Sequence, residues 1–122
     1  MRHCIILALG TNTGKENIQK AQKVLQTEFQ NLEFTSVVAT EPIGSIFQDT
    51  VFYNTLVNGT TSKDVSEVIS RLKLIEKECG DSHELREKGK VILDVDLLKY
   101  DEHIFHEKDW DRTYIKELMS NI

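Results

Sequence analysis

The stretch VILDVDLLKY, residues 91–100, decides how this chain folds and where its chemistry lies. Its density of Val, Ile and Leu reads as a β-strand, and a strand sends successive side chains to opposite faces. Val91, Leu93, Val95 and Leu97 therefore share an apolar face, while Ile92, Asp94, Asp96 and Leu98 share the other. On that second face two carboxylates stand side by side, with Cα atoms roughly 6.5 to 7 Å apart. Ionised carboxylates at that separation repel by about 2 to 3 kcal/mol at an effective dielectric near 20, so an occluded pair requires a compensating charge. Mg²⁺ suits them, because it takes one or two protein carboxylates and keeps its other positions for water and phosphate oxygens. The pair equally fits the solvent-facing half of an edge strand, where charge deters edge-to-edge pairing.

Working outward, CIILALG at 4–10 is a buried strand ending in glycine. A helix follows over 13–29, with Ile18, Ala21, Leu25 and Phe29 near helical spacing and a capping box at Thr13, Gly14, Lys15 and Glu16. LEFTSVVAT at 32–40 is a second strand, and residues 41–50, with the only proline, form a loop. VFYNTLVNG at 51–59 is a third strand, closed by an Asn58-Gly59 turn signal. The clearest helix spans 62–79, with Val65, Val68, Ile69, Leu72, Ile75 and Cys79 as one stripe, its start at 61–64 and its stop at Gly80. Residues 81–90 read as a loop, and the tail from 109 reads as a short closing helix. The order β-α-β-β-α-β with a tail predicts an α+β, ferredoxin-like sheet with helices over one face plus a short C-terminal helix.

The 122 residues suit one domain over 1–122, and 39% hydrophobic with 29% charged residues describes a globular chain. A net charge of -5 argues against nucleic acid as a partner. The longest apolar run, IILAL, is too short for a bilayer span or a signal peptide, so no membrane is expected and the cytoplasm is the predicted location. Cys4 and Cys79 lack a metal or redox spacing and read as reduced, buried thiols. Arg86, Lys88 and Lys90 put cations just before the aspartates, either to meet an anionic ligand or as a solvated loop.

LALGTNTGK at 7–15 falls one residue short of P-loop spacing and carries Glu16 where Ser or Thr would bind Mg²⁺, so a strand-to-helix turn is expected. Phe52 and Asn54 share a strand face, presenting a ring and a carboxamide together. That combination recognises flat hydrogen-bonding heterocycles, although in isolation Phe52 as core and Asn54 as a turn-proximal polar residue is the commoner explanation. His103 and His106 have no third ligand nearby and read as surface residues.

Taken in order, LALGTN (7–12), TEPIG (40–44), Gln48, FYN (52–54), Ile75 with Glu76, Gly80 and LDVDLL (93–98) resemble the 6-hydroxymethyl-7,8-dihydropterin pyrophosphokinase family of folate biosynthesis. The resemblance runs from about residue 4 to 102. It implies a ferredoxin-like fold and transfer of pyrophosphate from ATP to the pterin hydroxymethyl group, with release of AMP and with two Mg²⁺ ions. Residue by residue, it implies that Asp94 and Asp96 bind metal and that Thr40, Pro42, Ile43 and Gly44 form the pterin loop. Phe52 would stack on the pterin and Asn54 would read its edge. Glu76 would lie at the nucleotide side, and Leu97 near the adenine. Gly80-Asp81 stands where the family carries Gly-Arg, and Lys88-Gly89-Lys90-Val91 where it carries Trp-Gly-Pro-Arg. The family's PHxxMxxRxFVLxPLxEIAP segment finds no counterpart in this reading, which makes the chain a divergent, C-terminally short member. Arg86, Lys88, Lys90 or Arg112 would then supply the phosphate-facing charge. A pterin- or nucleotide-binding domain with impaired turnover is the alternative.

Overall fold

The computed structural model describes residues 1–41 and 51–122. Strand β1 (His3–Thr11) is central: it pairs antiparallel with β4 (Phe52–Thr61) on one side and with β5 (Asp94–Tyr100) on the other. Beyond β4 lie β2 (Gln30–Phe34) and β3 (Val38–Thr40), and beyond β5 the two-residue β6 (His103–Ile104). All these pairings are antiparallel.

The expected strand at 32–40 is thus one edge line broken in the middle, since β2 and β3 both pair with β4. Thr35 fills the break. Its hydroxyl accepts from the Leu56 N–H at 2.9 Å, its own N–H donates to the Leu56 carbonyl, and its carbonyl accepts from Thr55 Oγ1. A side-chain oxygen thereby supplies one of the ladder contacts that the broken strand lacks.

Asn58-Gly59 does not turn the chain. Strand β4 runs on to Thr61, with Gly59 opposite Ile5. The glycine answers a packing need: a Cβ there would lie 2.3 Å from Leu32 Cδ2 and 3.0 Å from the Gln30 carbonyl.

Helices α1 (Glu16–Glu28) and α2 (Val65–Glu78) cover one face of the sheet. Ile18, Ala21 and Leu25 of α1 join Val68, Leu72 and Ile75 of α2 over Leu7, Leu9, Val57, Leu93, Val95 and Leu97. Each fully buried aliphatic side chain here stabilises the fold by roughly 1.5 to 3 kcal/mol. The start of α2 is as expected, with the Asp64 carboxylate accepting from the Glu67 N–H at 2.9 Å. That of α1 is not, because Lys15 is its N-cap without a side-chain bond and Thr13 Oγ1 accepts instead from Asn17 Nδ2 at 2.7 Å. Ile69 falls off the buried stripe and is 40% exposed.

Two features refine the expected layering. The expected loop 81–90 holds a short helix, α3 (His83–Glu87), capped by Ser82. The tail forms a 3-10 turn (Glu107–Asp111) and helix α4 (Thr113–Met119), which packs Ile115 and Leu118 onto Leu56 and Leu98 on the opposite face from α1 and α2. A β-bulge lies under this contact. Ile6 pairs with Lys99 but Leu7 with Leu97, so Leu98 is the extra residue in β5.

The expected strand at 91–100 begins only at Asp94. Ahead of it, the Val91 N–H donates to Asn12 Oδ1 at 2.7 Å, and the Ile92 and Leu93 N–H groups donate to Asp81 Oδ1 at 2.9 and 3.2 Å. The Val95 N–H donates to Oε2 of Glu76, a carboxylate buried on α2, at 2.8 Å. Burial pushes the Glu76 carboxyl up to about 7, with the Asp94 charge adding to the rise and the Val95 N–H and Arg86 opposing it.

Two outcomes follow from these contacts. Gly59→Ala lowers stability by about 1 to 3 kcal/mol in urea unfolding, and Leu32→Ala in the same chain recovers part of the loss; simple additivity of the two would contradict the close approach. A carboxyl whose folded pKa is raised binds its proton more tightly folded than unfolded, so its ionisation destabilises the fold. Without divalent cations, the melting temperature should therefore fall as pH rises from 5.5 to 7.5. Glu76→Gln, which keeps an acceptor for Val95, should flatten that slope.

Candidate active site

The face covered by α4 carries the site. The paired register sets Asn54 opposite Gly10 and Gly10 opposite Asp94, and in the next row Leu56, Ala8 and Asp96. The middle strand thus contributes only a methyl group and a hydrogen to this face, and the space left is a cavity of about 240 Å³. Phe52 and Asn54 form one wall and Asp94 and Asp96 the other, while Asp109, Arg112, Tyr114 and Ile115 close it from the tail. Gly10 keeps this row open: a Cβ would lie 3.2 Å from Asn54 Oδ1, a contact tight enough that the amide would have to shift by a few tenths of an ångström.

Asp94 and Asp96 keep side-chain exposures of 41% and 32%. Burial first, and the Asp94 charge second, push the Asp96 carboxyl up to about 6, against a lowering influence from His106. Two basic side chains border the pair: Arg86 Nη2 is 3.4 Å from Asp94 Oδ1, and His106 Nε2 is 3.9 Å from Asp96 Oδ1. Among the described residues no cluster of three or more His, Cys, Asp or Glu side chains is placed to ligate a metal. Two adjacent carboxylates without a third ligand fit a hard cation completed by water and phosphate oxygens, and do not fit tetrahedral zinc.

On the other wall, Asn54 is 6% exposed and its Nδ2 donates to Thr40 Oγ1 at 2.8 Å. The carboxamide is fixed in orientation while it lines the cavity. Phe52 joins it on the same strand face. Pro42, Ile43 and Gly44, together with Gln48, lie outside the described residues.

The remaining expected residues separate. Leu97 points away from this cavity into the core beneath α2, and it lines a second hollow of about 210 Å³ with Ile69, Lys73, Phe105 and His106. Asp96 borders both hollows. Glu76 lies beneath the strand, holding Val95. Arg86 is tied to Asp81 at 2.6 Å and to the Leu93 carbonyl at 3.0 Å. Lys88 and Lys90 are exposed. Of the tail residues that close the cavity, Asp109 and Tyr114 had no expected role. Arg112, whose guanidinium lies 4.4 Å from the Tyr114 ring centroid, had been named only as one of four cations.

A family model described as 7,8-dihydro-6-hydroxymethylpterin-pyrophosphokinase matches residues 6–122. It runs past residue 102, through the tail that the motif reading left without a counterpart. The signal was present in the spacing: the family segment quoted above sets its arginine six and its aromatic eight residues after the histidine, as do His106, Arg112 and Tyr114. The missing prolines, and Asp109 at the methionine position, concealed it. The chain is 28% identical over 122 aligned positions to a folate synthesis bifunctional protein of Arabidopsis thaliana, covering 91% of this chain and 25% of that protein. It is 27% identical over 133 positions to a folate synthesis bifunctional protein of Chlamydia caviae, covering 97% and 30%. The chain thus spans under a third of the length of these relatives. Whole-length coverage by the family model, on an antiparallel α+β sheet of the expected kind, means that the chain belongs to the 7,8-dihydro-6-hydroxymethylpterin-pyrophosphokinase family, which transfers pyrophosphate from ATP to the pterin in folate biosynthesis.

Proposed function

We propose that pyrophosphate transfer takes place in the cavity over β4, β1 and β5, with the pterin against Phe52 and Asn54 and the phosphates against Asp94 and Asp96. The row Asn54, Gly10, Asp94 carries this reading. An amide suited to a heterocycle edge and a metal-binding carboxylate stand two strand spacings apart, roughly 10 Å, across a residue with no side chain. A bicyclic ring seated on the amide directs its hydroxymethyl arm toward the carboxylates.

Asp94 and Asp96 are the residues that would hold one or two Mg²⁺, and the metal, when bound, supplies positive charge to the phosphate oxygens. The other roles belong to side chains. Thr40 fixes the Asn54 amide and Phe52 offers a ring face. Arg112, the one cation among the described residues lining the cavity, faces the phosphates, with Lys88 and Lys90 as further sources of charge. The hollow at Ile69, Leu97 and Phe105 receives the adenine, with Lys73 and His106 beside it and Glu76 supporting the strand between. In the reaction the pterin hydroxyl oxygen bonds to the β-phosphorus in line. The bond from that phosphorus to the oxygen bridging to the α-phosphorus breaks, AMP leaves with that oxygen, and the hydroxyl proton passes to solvent. A cytoplasmic setting suits the two free cysteines, and no described helix is long and apolar enough to cross a membrane.

The test is AMP release from Mg-ATP in the presence of hydroxymethyldihydropterin. Asp94→Asn and Asp96→Asn should each lower the rate by about 10²-fold or more, while Asn54→Ala weakens pterin binding about tenfold or more and leaves Mg-ATP affinity unchanged. Measurable pterin binding with no AMP above the Asp94→Asn background would identify instead a binding domain that has lost turnover.

A further inference from the structure

Among the described residues, the outer edge of β5 receives a partner strand only at Lys99 and Tyr100, where β6 pairs with it. Further upstream, at residues 92–95, charged side chains stand in for the missing ladder. Asp81, buried at 9% exposure, takes two consecutive N–H groups on one oxygen, Ile92 at 2.9 Å and Leu93 at 3.2 Å. Its other oxygen accepts from Arg86 Nε at 2.6 Å. Arg86 Nη2 then reaches the Leu93 carbonyl at 3.0 Å and Asp94 Oδ1 at 3.4 Å. One carboxylate and one guanidinium therefore grip the backbone on both sides of the Leu93 peptide and touch the first aspartate of the cavity.

We propose that Asp81 and Arg86 are a positioning pair: they fix the start of β5, and through it the Asp94 carboxylate, so that Arg86 acts on the metal site and not as a ligand of the phosphates. The geometry accounts for this division of labour. A planar fork with its Nε on one carboxylate and its Nη2 on a carbonyl and a second carboxylate has these two nitrogens committed to this chain, leaving Nη1 alone for any other partner. A lysine carries the same charge but cannot hold the two sides at once. Asp81 needs the arginine in turn, because a buried carboxylate with two N–H donors and no cation is poorly compensated.

The proposal rests on the nucleotide and metal reading above, and calorimetry can separate the two. ATP affinity is measured with Mn²⁺ and again in EDTA, for the wild type, Arg86→Ala, Arg86→Lys and Asp81→Asn, the last keeping an acceptor for Ile92 and Leu93. The expected result is an approximately tenfold loss of Mn-ATP affinity in all three variants, with metal-free ATP affinity unchanged and the loss in Arg86→Lys as large as in Arg86→Ala. Hydrogen exchange at the Ile92 and Leu93 amides should speed up in the same variants at unchanged far-ultraviolet dichroism. An equal loss of metal-free ATP binding, or full retention of Mn-ATP affinity in Arg86→Lys, would overturn the proposal by making Arg86 a phosphate ligand or a simple point charge. Failure of the wild type to bind Mn-ATP would remove the metal reading and this proposal together.

Discussion

Everything at this site depends on a short length of β5 that must be straight, fixed and half-exposed without a strand on its outer side. Backbone N–H groups at such an edge need partners, and water alone would leave the aspartates on a fraying end. The chain supplies Asp81 and Glu76 as acceptors for Ile92, Leu93 and Val95, while Asn12, just past the end of β1, takes Val91 on the inner side. Two side chains, from α2 and the turn after it, thus do what a neighbouring strand does elsewhere. Buried Glu76 is costly when ionised, and its position next to the paired aspartates adds like charge. A cation held by Asp94 and Asp96, as proposed, would also relieve this crowding.

The second constraint is space. A sheet covered by helices on both faces normally fills each face with aliphatic side chains. Here β1 does so only toward α1 and α2, with Ile5, Leu7 and Leu9, while the other face carries Ile6, Ala8 and Gly10. The taper from isoleucine to glycine opens the cavity at one end of the strand and leaves α4 seated at the other. Leu98, on the same face as Asp94 and Asp96, joins Leu56, Ile115 and Leu118 to anchor that helix. Packing at one end of the face therefore sets the position of Arg112 and Tyr114 at the other.

Much of this was legible in the residues because it is local. Period-2 alternation places Leu93, Val95 and Leu97 against Asp94 and Asp96, and the 3.6-residue stripe of α2 finds its core face. Where the sequence misled, a long-range contact outweighed a local preference. Asn58-Gly59 has the composition of a turn, but the glycine answers the approach of Leu32 from a strand nearly thirty residues earlier. Thr13 has the form of an N-cap, yet its hydroxyl is engaged with Thr11 and Asn17. The tail has no pattern of its own strong enough to announce a role, because Asp109, Arg112 and Tyr114 acquire meaning only once α4 is laid across the sheet.

By itself the sequence determined the element order, the two faces of β5 and the adjacency of Asp94 and Asp96, since each follows from backbone periodicity over a few residues. Tertiary structure alone decided what those aspartates face and what holds them. Register across β1 brought Asn54 into their row through Gly10. Folding of α3 put Arg86 on Asp81 and Asp94 rather than in solvent. Such contacts join residues whose separation in the chain bears no relation to their separation in space, and no local pattern encodes them.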